Sequence, residues 1–209
     1  MDHGIGTFCI QCRQNDALSP VEGTMGFHTY PVERAPELED PSRYRYCSRE
    51  ELVGMLALSG DETVVDLGSG TGFYTNDVAP FAKRVYGVDL QEEMHDIYRE
   101  KGVPENVRLV TADVSDLPFA DGECDGAVTT MTYHEFYSEA ALAEVRRVLH
   151  PEGRFVIVDW SRAGGGEDGP STDERYDLET TREQLSDAGF TVEEGTERPE
   201  TFVLVARMG

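Results

Sequence analysis

From Ser48 onward the chain alternates between short, nearly continuous apolar runs and longer stretches whose apolar residues recur every three or four positions. Ser48-Arg49-Glu50-Glu51 reads as a capping box, in which the serine hydroxyl takes the Glu51 amide proton and the glutamate reaches back to the Ser48 amide. Leu52, Met55 and Leu56 follow at helical spacing, which predicts a helix packed ahead of the first strand. The pattern then predicts a strand over Thr63–Leu67, a helix over Phe73–Ala79, a strand over Arg84–Asp89, a helix over Gln91–Lys101 and a strand over Val107–Thr111. It continues with a strand over Asp125–Thr130, a helix over Ser138–Leu149, a strand over Arg154–Trp160, a helix over Thr181–Ala188, and closing strands near Thr191–Glu194 and Thr201–Arg207. Strand-length apolar runs separated by helical segments indicate βαβ units, hence an α/β domain around a mainly parallel sheet.

Residues 1–44 carry Gly4, Gly6, Pro20, Gly23, Gly26, Pro31, Pro36 and Pro41 and no sustained period, so an irregular N-terminal arm is expected ahead of a domain over 45–209. Met25 is an internal methionine and the opening stretch has no hydrophobic periodicity, which makes residues 1–24 a candidate mis-assigned start. Mass spectrometry of the native N-terminus decides that point. Gly164-Gly165-Gly166 through Pro170 reads as a flexible connection between the fifth strand and the last helix.

The length of 209 residues suits one domain with an extension. With 41 acidic against 18 basic residues the formal charge is −23, and such a surface repels phosphate backbones and anionic headgroups, so nucleic acid and membrane surfaces are poor partners. Lys83 and Lys101 are the only lysines. Acid-rich, lysine-poor composition is expected of a salt-adapted, halophilic protein, in which counterions screen the self-repulsion. Disorder, the other reading of high charge, is disfavoured by the grouping of apolar residues into strand-length runs. No apolar run approaches the roughly 20 residues of a spanning helix and no basic-then-apolar leader is seen, so a cytoplasmic protein without membrane insertion is expected. Cysteines 9, 12, 47 and 124 are too scattered for a disulfide scaffold. Cys9-x-x-Cys12, with His3 and His28 nearby, raises a metal or redox site, but a single pair is weak support and no metal is expected.

The candidate chemistry gathers at the C-terminal ends of the predicted strands. Asp66-Leu67-Gly68-Ser69-Gly70-Thr71-Gly72 joins the first strand to a helix. Its glycines permit positive φ and close approach of a ligand to the backbone, and the helix start offers unpaired amides. Dinucleotide enzymes place a Gly-rich turn at the same point, but here Phe73 stands where their fingerprint needs a small residue, and the Asp66 carboxylate would repel a pyrophosphate. Asp66 would instead suit an ammonium group, such as the amino-acid end of S-adenosylmethionine (SAM). Asp89 ends the second strand twenty-one positions after Gly68, near the offset at which an acid grips ribose hydroxyls. Asp113 ends the third strand, placed to accept from an adenine amino group. Each acid alone could be a solvated loop residue; three on successive strand ends make coincidence unconvincing.

Val64–Gly72, Val85–Leu90, Thr111–Phe119 and Leu149–Asp159 together resemble the successive motifs of the class I SAM-dependent methyltransferases, and within them the ubiquinone/menaquinone-type C-methyltransferases. The resemblance implies a Rossmann-like, doubly wound, mainly parallel seven-stranded sheet with an antiparallel last strand, and SAM as cofactor. It also implies that Gly68, Ser69, Gly70, Thr71 and Gly72 surround the methionine moiety, Asp89 the ribose, Leu90 and Met94 the adenine, and Asp113 with the Val114 amide the adenine edge, with Thr130 at the end of the fourth strand completing the pocket.

Beyond Thr130 the chain reads Met131-Thr132-Tyr133-His134-Glu135-Phe136, beside the expected position of the transferable methyl group. His134 and Glu135 are the candidate catalytic residues, able to take a proton from a hydroxyl or acidic C–H acceptor. The competing reading makes His134 a packing or loop-fixing residue. Asp159 either contacts the acceptor or merely ends the fifth strand, and Tyr44 and Tyr46 either close over the cofactor or pack on the surface. Cys124 starts the fourth strand, away from the ligand edge, which argues against thiol chemistry. The sequence thus points to methyl transfer onto a small molecule, with quinone-type C-methylation as one form. A non-catalytic SAM-binding regulator and an NAD(P)-dependent oxidoreductase are the alternatives.

Overall fold

The computed structural model describes Met1 and residues 29–209. Cys9, Cys12, His3, His28 and the candidate start at Met25 lie outside the described residues. The regular part begins with helix α1 (Arg49–Leu56), followed by β1 (Thr63–Leu67), α2 (Phe73–Val78), β2 (Arg84–Asp89), α3 (Glu92–Lys101), β3 (Val107–Thr111) and β4 (Cys124–Thr130). Then come α4 (Tyr133–Phe136), α5 (Glu139–Val148), β5 (Leu149–Trp160), α6 (Leu178–Asp187), β6 (Phe190–Glu197) and β7 (Thr201–Met208).

The seven strands form one sheet in the order β3-β2-β1-β4-β5-β7-β6. β3 to β5 run parallel, and β7 is antiparallel to both β5 and β6. This is the Rossmann-like, doubly wound arrangement expected from the sequence. Alternate residues of the central strands feed two cores. Val64, Val85 and Val128 pack with Leu52, Tyr74 and Tyr98 of α1, α2 and α3 on one face. Val65, Leu67, Ala127 and Ile157 pack with Leu142, Val145 and Leu185 of α5 and α6 on the other. Burial on both faces explains why these strands read as continuous apolar runs. The strand order reverses between β1 and β4, so the two segments leaving their carboxyl ends diverge and open a crevice there.

Several elements differ from the sequence reading. The Ser48 hydroxyl accepts the Glu51 amide at 3.2 Å, but the Glu51 carboxylate pairs with Arg198 instead of closing the capping box. Helix α6 starts at Leu178 rather than Thr181 because Asp177 caps it, accepting the Thr180 amide at 2.8 Å. β5 begins at Leu149, paired with Cys124 across a register shift, where a helix end was expected. The arm contains 3-10 turns at Val32–Glu39 and Pro41–Arg45. The Gly164–Pro170 stretch is packed down rather than a free connection. Arg175, 1% exposed, donates to the carbonyls of Ser161, Asp168 and Pro170, and the Gly165 amide donates to the Pro199 carbonyl at 2.9 Å. Among the described residues no helix is long and apolar enough to cross a membrane, and no group of three or more His, Cys, Asp or Glu is placed to hold a metal.

Candidate active site

The turn after β1 is fixed by its backbone. Gly68 and Ser69 amides donate to the Val88 carbonyl at 2.9 and 2.8 Å, locking the turn onto the end of β2. The Gly70 amide donates to Asp89 Oδ2 at 2.8 Å, while Asp89 Oδ1 accepts the Gln91 amide at 2.9 Å. Burial holds the Asp89 carboxyl above its ordinary value. Gly70, at φ +52°, has only Leu38 Cδ1 near its missing Cβ, at 3.4 Å, so its open side is accessible to a ligand. Gly72, at φ +84°, differs: a Cβ there would fall 2.1 Å from the Tyr98 ring. Its smallness lets α3 pack against the turn.

A cavity of about 1020 Å³ opens over this turn. Gly68, Ser69, Gly70 and Thr71 form its floor, Asp89, Leu90 and Met94 one wall, and Asp113, Val114 and Thr130 the adjoining strand ends. Asp66 and Gly72, expected at the ligand, stand behind this wall instead. The Asp66 carboxyl is 2% exposed, accepts the Thr75 hydroxyl at 2.6 Å, and is pushed up to about 6 by burial; its Oδ1 has no partner.

The lining suits an adenosyl ligand. Each Asp89 oxygen holds one amide and keeps a lone pair for a ribose hydroxyl. Leu90, 53% exposed, and Met94, 1% exposed, supply apolar contact for a flat base. Asp113 uses Oδ1 for the Ser115 amide and hydroxyl, both at 2.8 Å, which leaves Oδ2 for an exocyclic amine. The volume lies at the top of the roughly 300–1,000 Å³ usual for ligand pockets, room for a cofactor and a second small molecule.

The second wall is built from side chains distant in sequence. Met131 turns the chain out of β4 in the left-handed region, at φ +61°, a conformation that costs a non-glycine residue about 1 kcal/mol. This aims α4 along the cavity, and His134, Glu135 and Phe136 line it. His134 Nδ1 is 3.0 Å from both oxygens of Asp159, and the His134 amide donates to Asp159 Oδ2 at 2.7 Å. The Trp160 amide donates to Oδ1 at 2.8 Å. A carboxylate only accepts, so in the neutral imidazole the proton lies on Nδ1 and the Nε2 lone pair is free. Nε2 is 3.9 Å from Glu135 Oε1. Burial pushes His134 down, but the Asp159 charge, its hydrogen bond and Glu135 outweigh it and leave the imidazole above its ordinary value. Burial raises Glu135 to about 7, with His134 opposing and Asp159 and Asp89 adding to the rise. Asp159 is fully buried and outside the lining: it holds His134 and does not face an acceptor.

The remaining wall comes from residues 29–46 and from the segment after β5. Tyr30, Arg34, Arg43 and Tyr46 line the cavity, as do Trp160 and Gly169. Gln91 ties the arm down by donating to the Tyr30 carbonyl at 3.0 Å, and Asp168 receives both Arg45 and the Tyr46 hydroxyl. Tyr46 lies edge-on to Trp160 with centroids 4.7 Å apart. Tyr44 stays out of the cavity, packing on Phe73 and donating to Asp77 at 2.9 Å. Cys124 is buried at the far end of β4, its thiol pushed up to about 12 by burial. Of the two arm tyrosines considered as covers, Tyr46 lines the cavity and Tyr44 does not; Tyr30, Arg34 and Arg43 of the arm, Arg175, and the orienting role of Asp159 were not anticipated. The visible signal was the density of Tyr and Arg between Tyr30 and Tyr46 in a chain so poor in cations.

Residues 65–157, which contain the turn, the acidic strand ends and His134, match the family model of the methyltransferase domain. This stretch is similar to the methyltransferase domain family. The chain is 36% identical over 104 residues to an uncharacterized methyltransferase, YcgJ, of Bacillus subtilis, covering 47% of this chain and 41% of that protein. It is 37% identical over 101 residues to the demethylmenaquinone methyltransferase of Corynebacterium kroppenstedtii, covering 48% and 42%. The chain thus spans about two fifths of the length of these two relatives. The crystal structure of a SAM-dependent methyltransferase from Aquifex aeolicus superposes with a TM-score of 0.80 at 28% identity, covering 87% of this chain and all of that one. The resemblance to class I methyltransferases of the ubiquinone/menaquinone type is borne out. The matched stretch holds the turn and His134, while the arm and the Gly164–Glu174 wall lie outside it.

Proposed function

We propose that the protein is a SAM-dependent methyltransferase whose acceptor is a small molecule that gives up a proton as it is methylated. The observation that carries this reading is one cavity with a glycine turn and acidic strand ends on one side and the His134–Asp159 pair on the other. When bound, SAM supplies a methyl carbon made electrophilic by its sulfonium. The protein's part is to align the acceptor, exclude water and receive a proton at His134 Nε2. Asp159 fixes the imidazole tautomer and stabilises the imidazolium, and Glu135 beside Nε2 is placed to relay the proton outward.

A hydroxyarene of the quinol type fits these demands. Ionising its hydroxyl raises the nucleophilicity of both the oxygen and the adjacent ring carbon, and Tyr30, Tyr46, Phe136 and Trp160 offer aromatic contact. The demethylmenaquinone methyltransferase among the relatives supports this class. Phe73 in the cavity wall disfavours a dinucleotide. The formal charge of −23 and the two lysines support a salt-adapted protein of the cytoplasm: its melting temperature should fall between molar and millimolar KCl, and an unchanged value removes the salt adaptation.

Calorimetric titration in molar KCl with SAM, S-adenosylhomocysteine and NAD tests the cofactor. Micromolar binding of the two adenosyl amino acids with silence from NAD supports the reading, and binding of NAD alone overturns it. Transfer of labelled methyl from SAM to quinol-type acceptors then tests the activity; binding without transfer to any component of a cell extract favours a SAM-binding regulator.

A further inference from the structure

The arm supplies the cavity with its cations. Arg34, Arg43 and Arg45 are the three arginines of the arm that line it. Arg34 is held by Glu37, and Arg45 by Asp168. Arg43 differs. Among the described residues its guanidinium makes no hydrogen bond or ion pair, and its Nε is buried without a partner. With 41 acidic residues against 18 basic ones, a carboxylate within reach is the easy outcome, and both neighbouring arginines realise it.

The position of Arg43 is well defined. Its guanidinium carbon lies 5.6 Å from the Phe73 ring centre and 5.4 Å from that of Tyr74, and its carbonyl accepts the Tyr74 hydroxyl at 3.0 Å. Phe73 and Tyr74 directly follow Gly72. The arm runs along the turn: Leu38 Cδ1 lies beside Gly70, and Glu39 takes the Thr71 hydroxyl. Lys101, the other cation at this turn, is bonded to Glu39 and the Thr71 carbonyl and lies outside the cavity lining.

An α-amino acid group bound at this turn presents one anion and one cation. The acids fixed at this turn, Asp89 in the cavity wall and Glu39 and Asp66 behind it, suit the ammonium and leave the carboxylate without a counter-charge. We propose that Arg43 binds the α-carboxylate of the amino-acid end of the cofactor, an assignment that rests on the SAM reading above. A guanidinium matches a carboxylate with two parallel hydrogen bonds, and the two rings hold its plane in place beforehand.

The test compares two ligands on three proteins. S-adenosylhomocysteine carries the amino-acid end, whereas 5′-methylthioadenosine has the same nucleoside and thioether without it. Titrated in molar KCl, Arg43→Met should weaken S-adenosylhomocysteine about 10- to 100-fold and leave 5′-methylthioadenosine within about twofold of the unsubstituted protein. Arg43→Lys should fall between. Equal weakening of both ligands would assign Arg43 to packing of Phe73 and Tyr74, and unchanged S-adenosylhomocysteine binding would assign it to the acceptor; either overturns the proposal. If the unsubstituted protein binds neither ligand, the cofactor reading itself fails, and this assignment falls with it.

Discussion

The two walls of the cavity are made in different ways. The wall from Gly68 to Val114 is contiguous strand-turn-helix structure whose decisive contacts are backbone ones, such as the Gly68 and Ser69 amides on the Val88 carbonyl and the Gly70 amide on Asp89. The opposite wall is collected from the arm, from α4 and from the segment after β5, and is held by side chains: Asp159 on His134, Asp168 on Arg45 and Tyr46, Arg175 on three carbonyls. Backbone geometry tolerates surface change but not a misplaced Cβ. A side-chain wall keeps its shape through many substitutions yet loses its chemistry when one orienting group goes.

The largest expected effect is on the side-chain wall. Asp159→Asn removes the charge that orients His134, and the turnover number should fall by about 10²- to 10⁴-fold, the range of general acid–base catalysis, while S-adenosylhomocysteine affinity stays within about twofold. Turnover unchanged in steady-state assays would reduce His134 to a packing residue and remove the distinction between the walls. Next comes the backbone wall. Gly72→Ala forces a Cβ toward Tyr98 at positive φ and should cost about 2–4 kcal/mol, lowering the melting temperature by roughly 5–15 °C. Gly70→Ala is strained at φ +52° but meets only Leu38, so it should lower the melting temperature less than Gly72→Ala while impairing ligand binding; equal melting shifts for the two variants would refute the division of roles.

A smaller effect tests the buried acids. Burial favours their neutral forms, so the folded protein retains protons that the unfolded chain has released. That contribution is complete below about pH 4 and is lost as the pH rises through about 6 for Asp66 and about 7 for Glu135. His134, also raised, adds in the same direction. The ligand-free protein should melt lower at pH 8 than at pH 5, by roughly 5 °C or more, and Glu135→Gln should flatten the profile. An identical slope in the variant would place the titration elsewhere. The smallest effect is at the surface of the backbone wall: Leu90→Ser should weaken S-adenosylhomocysteine by about fivefold, near 1 kcal/mol of apolar contact, without a change in melting.

The same contrast explains what could be read beforehand. β1, β2 and β3 begin and end where the apolar pattern places them: the inner strands β1 and β2 are largely buried, and the half-buried edge strand β3 is bounded by turns. Asp89 and Asp113 were legible because a strand end plus a parallel sheet fixes which edge they occupy. Asp66 precedes the turn by the same logic, yet one residue of strand periodicity rotates it toward Thr75 and out of the cavity. The His134–Asp159 contact joins residues twenty-five positions apart on adjacent segments, and no local pattern encodes it. Nor does one encode Arg175, which ranks among the largest fully buried side chains although arginine is ordinarily a surface residue.

The arm crosses from one wall to the other and is fastened on both, to Gln91 and Thr71 on one side and to Asp168 and Arg198 on the other. A nucleoside bound as proposed would lie beneath this strap, and its release would be linked to the strap letting go. The catalytic cycle should therefore keep two clocks, a fast one for the bond made in the cavity and a slow one for the strap, with a first turnover that outruns those that follow. Salt then acts on tempo as well as endurance, since the Arg45–Asp168 fastening is an ion pair and weakens as counterions crowd in.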